Sequence, residues 1–223
     1  MNYAKVRDIT ADEIPVIDVS GLEGGDDRQL RAVADQMVRA AEGIGFFYVR
    51  GHGVSRDMLD ETYALSQTFF RSPDDVKDRI AVSGGHRGWL RIGEARMEGS
   101  ERFDLKESFI WGLDVPPEDP DVIAGDRLLA VNRWPATPPG MRDVFNRYFA
   151  EMQRCGEQLL RAFALSLEIP PDYFIRHMDR PVSRAAAVWY PPQVPDLGDQ
   201  QFGVSPHTDY GTLTLVQQDA VGG

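Results

Sequence analysis

The feature that most constrains this sequence is a His-x-Asp pair, His207 and Asp209, just before a run of strand-forming residues. Side chains two residues apart on a β-strand lie on the same face. Residues 212–216 are rich in β-branched and apolar side chains, which predicts a strand. Gly211 would let the chain bend into that strand. The sequence therefore predicts a strand region that presents an imidazole and a carboxylate side by side.

An imidazole beside a carboxylate suits a divalent first-row metal. The pair would supply two corners of the 2-His-1-carboxylate arrangement that holds non-haem Fe(II) and leaves other positions open. A lone His-x-Asp pair is a weak signal, because most such pairs lie on protein surfaces without a metal. On spacing alone both interpretations stay open.

Composition limits the classes of partner. The 223 residues are 42% hydrophobic and 26% charged, ordinary values for a globular protein of one large or two small domains. A net charge of -11 argues against binding to nucleic acid or to an anionic membrane surface. Cys155 is the single cysteine, which fits a reducing compartment. With no apolar run typical of a signal peptide or membrane span, we expect a cytoplasmic protein. The oligomeric state is left open, with a monomer as the expectation.

Hydrophobic periodicity predicts both helices and strands. Apolar residues three and four apart predict a helix at about residues 28–42 and a longer one at 138–167, which we expect to pack on a sheet. Residues 82–102 are Gly-rich and predict a loop that could cover a site. Aromatic and β-branched runs predict four further strands, at residues 14–19, 46–49, 104–112 and 185–190.

The order of these segments is more specific than any one of them. The segments are Ile-Pro-Val-Ile-Asp at 14–18, Gly-Phe-Phe-Tyr-Val-Arg-Gly-His-Gly-Val at 45–54, Asp-Leu-Lys-Glu-Ser-Phe at 104–109, Trp-Tyr-Pro-Pro at 189–192 and His-Thr-Asp-Tyr-Gly-Thr at 207–212. In this order they resemble the isopenicillin N synthase-like family of Fe(II)/2-oxoglutarate-dependent oxygenases. The resemblance extends along nearly the whole chain, from Ile14 to Gly223.

The resemblance implies a mainly β fold with flanking helices, namely a double-stranded β-helix (jelly roll) that is incomplete at the C-terminus of this chain. Residues 1–110 would form the helical and β N-terminal region. Residues 111–223 would form the first part of the β-helix core together with its support helix.

The resemblance also implies a chemistry. Fe(II), 2-oxoglutarate as co-substrate and O2 would oxidise a C–H bond of a small-molecule substrate by hydroxylation, desaturation or cyclisation, with release of succinate and CO2. His207 and Asp209 match the first two iron ligands, and Tyr190 matches a tyrosine beside the 2-oxoglutarate or the substrate. Four further residues are expected to line the substrate pocket: Thr208, Tyr210, Ser108 and Ile110.

Family members have a third ligand, a histidine, some tens of residues further on, and beyond it an Arg-x-Ser that binds 2-oxoglutarate. No histidine follows His207 here, and His52, His86 and His177 do not match the ligand position. We therefore expect this chain to be part of a longer one, and to be inactive alone. Two alternatives stay open. One is an oxidase of the same fold that uses no 2-oxoglutarate, and the other is a non-catalytic binding module.

Overall fold

The computed structural model describes residues 13–24, 26–95, 102–126, 128–192, 203–205, 207–209 and 211–221. Within these ranges the chain forms five α-helices and five β-strands. The helices are α1 (Asp27–Gly43), α2 (Arg56–Phe70), α3 (Asp74–Asp78), α4 (Pro120–Ile123) and α5 (Met141–Ser166). The strands are β1 (Val16–Asp18), β2 (Tyr48–Arg50), β3 (Gly88–Leu90), β4 (Glu107–Gly112) and β5 (Arg184–Trp189).

The chain divides into two compact units, and each unit is built from separate stretches of the sequence. The described residues of the first unit fall within 56–149 and 181–209. Those of the second unit fall within 13–55, 150–180 and 211–221. Helix α5 therefore supplies residues 141–149 to the first unit and residues 150–166 to the second.

The first unit contains an antiparallel sheet in the order β3-β4-β5. β4 is the central strand, and on one of its faces Phe109 and Trp111 are buried against Phe145 of α5. The ring centroids of Trp111 and Phe145 are 4.7 Å apart, which is within the range of favourable aromatic pairs. The other buried members of this core cluster are Phe69, Ile80, Trp89, Met141 and Val144.

A buried ion pair ties α3 to the same sheet. Lys77 Nζ lies 2.9 Å from Glu107 Oε2, and the same carboxylate oxygen accepts a 2.8 Å hydrogen bond from Trp89 Nε1. The Lys77 ammonium also lies 4.8 Å from the centroid of the Trp89 ring, within cation–π range. Because a buried charge must be paired to be tolerated, these contacts fix how α3, β3 and β4 lie together.

The second unit contains the parallel pair β1-β2, with Val16 opposite Tyr48. α1 begins with a capping box, in which the Asp26 side chain accepts from Gln29 N–H and the Gln29 side chain accepts from Asp26 N–H. Its apolar stripe is buried, as the 3.6-residue period predicts. The buried residues of this stripe are Val33, Ala34, Met37 and Ala40.

Several expectations need correction. The described residues hold more helix than strand, because α1 and α5 are 17 and 26 residues long and no strand exceeds six; "mainly β" is wrong for this part of the chain. Residues 212–216 form no strand, since no described segment pairs with them. The loop predicted at 82–102 contains β3, and its residues 96–101 lie outside the described residues. Helix α5 begins at Met141 rather than Pro138. Among the described residues, no helix is long and apolar enough to cross a membrane.

Candidate metal centre

His207 and Asp209 meet in the structure. His207 Nε2 lies 3.0 Å from Asp209 Oδ1, and both side chains are partly open to solvent. Neither residue belongs to a strand, so the predicted strand geometry is wrong here although the predicted contact between the two side chains is confirmed. The pair belongs to the first unit.

The other ring nitrogen of His207 faces the backbone. Nδ1 lies 2.8 Å from the carbonyl oxygen of Ser205. A carbonyl oxygen can only accept, so this contact assigns a proton to Nδ1. In the neutral imidazole Nε2 then carries a lone pair, which is the tautomer a metal ligand needs.

The distance between Nε2 and Asp209 Oδ1 tests whether a metal fits. Two acceptor atoms 3.0 Å apart repel each other unless a proton or a cation lies between them. With metal–ligand bonds of about 2.1 Å, two ligands at right angles are about 3.0 Å apart. The separation therefore fits adjacent corners of an octahedral metal such as the iron of a facial triad, and it equally fits a hydrogen bond from Nε2–H to Asp209. Among the described residues no group of three or more His, Cys, Asp or Glu side chains could hold a metal.

Asp104 supports the segment that carries His207 and Asp209, and the sequence alone predicted no role for it. Asp104 is fully buried, and its Oδ1 accepts a 2.9 Å hydrogen bond from Ser205 N–H. Its Oδ2 faces Lys106 Nζ at 3.0 Å. The available signal was the Asp-x-Lys-Glu run at the entrance to β4, where three charged residues lead directly into a buried strand.

Tyr190 lies near this carboxylate. It directly follows β5, whose last residue Trp189 pairs with Glu107 at the start of β4. Partial burial raises the pKa of the Tyr190 phenol, and the negative charge of Asp104 raises it further. The phenol thus stays protonated at neutral pH and can donate a hydrogen bond. The structure brings Tyr190 and Asp104 to one region of the first unit.

The predicted substrate residues lie in three settings. Ser108 and Ile110 lie on β4, opposite Val188 and Ala186 of β5, with Ser108 buried and Ile110 half-buried. Thr208 is exposed between the two metal-ligand candidates. Tyr210 lies outside the described residues. The substrate role of all four stays a prediction.

The remaining histidines are not ligands of a described metal cluster. His52 Nδ1 accepts a 3.2 Å hydrogen bond from Val54 N–H within the Gly-His-Gly turn, so this histidine has a structural role in the turn. His177 lies on an exposed turn beside Arg176, whose Nε is 3.2 Å from His177 Nε2.

Comparison with known proteins identifies the family. A family model described as "non-haem dioxygenase in morphine synthesis N-terminal" matches residues 14–137, more than half of the chain. The chain belongs to this non-haem dioxygenase family, within the Fe(II)/2-oxoglutarate-dependent oxygenase superfamily.

Three similar proteins illustrate the relationship. A 2-oxoglutarate-Fe(II) type oxidoreductase, ppzC, from Metarhizium rileyi is 32% identical over 237 residues, with 98% of this chain and 63% of that protein covered. A crystal structure of a 2OG-Fe(II) oxygenase family protein from Caulobacter crescentus has a TM-score of 0.70 at 24% identity, with 83% of this chain and 58% of that one covered. A full-length Neurospora crassa protein, solved in complex with alpha-KG and thymine, has a TM-score of 0.60 at 22% identity, with 74% and 52% covered.

At these identities the structural likeness shows a shared fold. The chain spans 63% of the length of ppzC and smaller fractions of the two solved chains.

Proposed function

We propose that the full-length protein is a non-haem Fe(II)- and 2-oxoglutarate-dependent oxygenase that oxidises a C–H bond of a small molecule. The observation that carries this proposal is the contact between His207 Nε2 and Asp209 Oδ1 at 3.0 Å, with Nδ1 directed to a backbone carbonyl. Membership of the non-haem dioxygenase family and the similarity to ppzC, a 2-oxoglutarate-Fe(II) type oxidoreductase, support the choice of iron and 2-oxoglutarate.

The residues of this chain have separate tasks in the proposed centre. His207 Nε2 and Asp209 Oδ1 would hold Fe(II), and they occupy only two of its positions, which leaves room for further ligands. The bound iron, with 2-oxoglutarate and O2, would supply the oxidising power, with succinate and CO2 as the other products. The protein's own contribution is to orient the ligands and to place a C–H bond close to the metal.

Tyr190 is proposed to contact the co-substrate or the substrate, because its phenol lies within electrostatic reach of Asp104, which binds the N–H of Ser205 two residues before His207. Ser108, Ile110, Thr208 and Tyr210 are proposed as substrate contacts. A small-molecule substrate is supported by the thymine bound in the Neurospora crassa structure. The acidic net charge of -11 supports a site that does not bind nucleic acid or a membrane surface.

The finer architecture is also a proposal. We propose the double-stranded β-helix for the full-length protein, with 1–110 as its N-terminal region and 111–223 as the first part of the core. The shared fold with the Caulobacter oxygenase supports the architecture. The single, buried Cys155 supports a cytoplasmic location, and a monomer stays the expectation.

The test is an anaerobic titration of the full-length protein with Fe(II) and then 2-oxoglutarate. The visible charge-transfer band of the iron–2-oxoglutarate chelate should appear for the wild type. His207→Ala and Asp209→Ala should each weaken Fe(II) binding by more than about 100-fold, because removing a ligand should lower metal affinity more than removing a residue that only hydrogen-bonds to a ligand.

Matched control variants are available. His177→Ala and Asp60→Ala remove an exposed histidine and an exposed aspartate outside the site, and both should bind Fe(II) like the wild type. Iron binding without the band would favour the oxidase that needs no 2-oxoglutarate. A wild type that binds no iron would favour the non-catalytic module and would refute the proposed function.

A further inference from the structure

Asp104 is a fully buried carboxylate that contacts the segment carrying the candidate ligands. Its Oδ1 accepts a hydrogen bond from Ser205 N–H at 2.9 Å, whereas its Oδ2 has no hydrogen bond among the described residues and faces the ammonium of Lys106 at 3.0 Å. Burying an ionised carboxylate is costly unless it is paired and hydrogen-bonded. The carboxyl group of Asp104 therefore has a peptide N–H on one side and an ammonium on the other.

Ser205 connects this charge to His207. The Ser205 peptide N–H donates to Asp104, while its carbonyl oxygen lies 2.8 Å from His207 Nδ1. Residues 203–205 and 207–209 belong to no helix or strand. The hydrogen bond to Asp104 therefore anchors Ser205, which has no strand pairing to hold it.

We propose that Asp104 is a positioning residue for the metal centre, acting through Ser205 on the place and orientation of His207. This inference rests on the proposed function, since it requires His207 to be a ligand. Outer hydrogen-bond partners fix the tautomer and the ring orientation of metal-bound histidines. Here the outer partner of His207 is the carbonyl of Ser205, and Ser205 is itself anchored by its hydrogen bond to the buried carboxyl group of Asp104. Such charge-assisted bonds are roughly twice as strong as neutral ones.

Lys106 completes the anchor. Only 13% of its side chain is exposed, and its ammonium lies on the opposite oxygen of Asp104 from the Ser205 bond. A cation at that distance compensates the charge of a buried carboxylate. Lys106 is therefore the ionic partner of the buried Asp104 on the side away from Ser205 N–H.

The chain offers a matched control in Glu107, three residues along. Glu107 is also a buried carboxylate paired with a lysine, at 2.9 Å from Lys77, but its described partners lie on α3 and β3. Loss of Glu107 should disturb the sheet at least as much as loss of Asp104, without a direct effect on Ser205. The two residues therefore separate a general loss of stability from a loss of positioning.

The experiment compares Asp104→Ala, Asp104→Asn and Glu107→Ala in the full-length protein. Anaerobic Fe(II) affinity, the visible spectrum of the Co(II)-substituted protein and the melting temperature are measured for each. We expect Asp104→Ala to weaken Fe(II) binding by about 10-fold or more and to alter the Co(II) spectrum, which reports the coordination. Asp104→Asn keeps an acceptor oxygen for Ser205 N–H, and should bind Fe(II) nearly as well as the wild type.

Glu107→Ala should lower the melting temperature and leave the Fe(II) affinity of the folded protein unchanged. Wild-type affinity in Asp104→Ala would overturn the inference, as would equal losses in Asp104→Ala and Glu107→Ala. An Asp104→Asn protein as weak as Asp104→Ala would also overturn it, because the retained acceptor would then have no effect. A wild type that binds no Fe(II) would instead refute the proposed function.

Discussion

At Gly88 the backbone passes close to the backbone of Ile80, a residue of the first-unit core. Gly88 begins β3 at a φ of +108°, and a Cβ placed there would lie 2.1 Å from the carbonyl oxygen of Ile80. Both the left-handed backbone and the contact with another backbone atom require glycine at this residue. Gly84, four residues earlier, has open space around it and no such φ.

Gly88→Ala is therefore expected to destabilise the protein by more than about 1 kcal/mol, because the clash involves backbone that cannot move aside. Gly84→Ala should change stability by less than about 1 kcal/mol in either direction. Urea denaturation of both variants measures the difference. Equal stabilities of the two would show that β3 does not require glycine at this position.

The contact between the two candidate metal ligands was predictable from the sequence, but the contact that supports their segment was not. His207 and Asp209 are close in sequence, so any extended or tightly turned backbone brings them near each other. Asp104 and Ser205 are 101 residues apart, and no local periodicity connects them. Their contact depends on tertiary structure, which pattern reasoning on one sequence does not reach.

At the scale of elements, α1 and β4 were well predicted because each carries its own local signal. α1 has an apolar stripe of helical period, and β4 alternates through Phe109 and Trp111. β3 was missed because it is only three residues long, begins with glycine and owes its existence to pairing with β4. The strand predicted at 212–216 has strong β propensity, but a strand also needs a partner for its backbone groups.

The central role of β4 gives a testable consequence. Phe109 is fully buried, and its ring packs edge-on against the rings of Phe69 and Phe145 and at a tilt against that of Trp134. Phe109→Ala should cost about 3–5 kcal/mol of unfolding free energy, since a large cavity would form between α2, β4 and α5. Exposed Phe46 is the control; Phe46→Ala should cost much less in the same denaturation experiment.

At the scale of the whole molecule, the stretches of the two units alternate along the sequence, so each unit is built from residues that are far apart in the chain. The sequence predicted the order of most elements, but their grouping could not be predicted from it. Continuous division at residue 110 is a prediction about the full-length protein. Contact units follow spatial neighbours instead, and residues 150–180 belong with the N-terminal segment although they lie far along the chain.

Global stability should depend on pH through Asp114. Burial alone would raise the pKa of this carboxyl, but hydrogen bonds from Arg142, Asn132, Trp134 and Asn146 lower it below its ordinary value of 3.8. A carboxyl whose folded pKa is lowered stabilises the protein fully above its unfolded pKa, and loses that contribution as pH falls through the folded pKa. Wild type should therefore exceed Asp114→Asn in stability above about pH 4, and the difference should shrink in more acidic solution.

The measurement for Asp114 is urea denaturation of both proteins from neutral pH to about pH 3, within the range where carboxylates titrate. Asp143→Asn, which changes an acid in the first turn of α5, is the control for the removal of one negative charge. A difference between wild type and Asp114→Asn that does not vary with pH would contradict the prediction.

The bond from Asp104 to Ser205 also orders events in time. A ribosome adding about 5–20 residues per second needs about 5–20 seconds to make the 101 residues between them. During that interval Asp104 lacks the Ser205 N–H that binds it in the folded chain, while the rest of β4 can already pair with β3. The segment with His207 would then dock after β3 and β4 have paired. If His207 holds iron as proposed, the metal would bind only after this late contact has formed, because an earlier metal ion would find no anchored histidine.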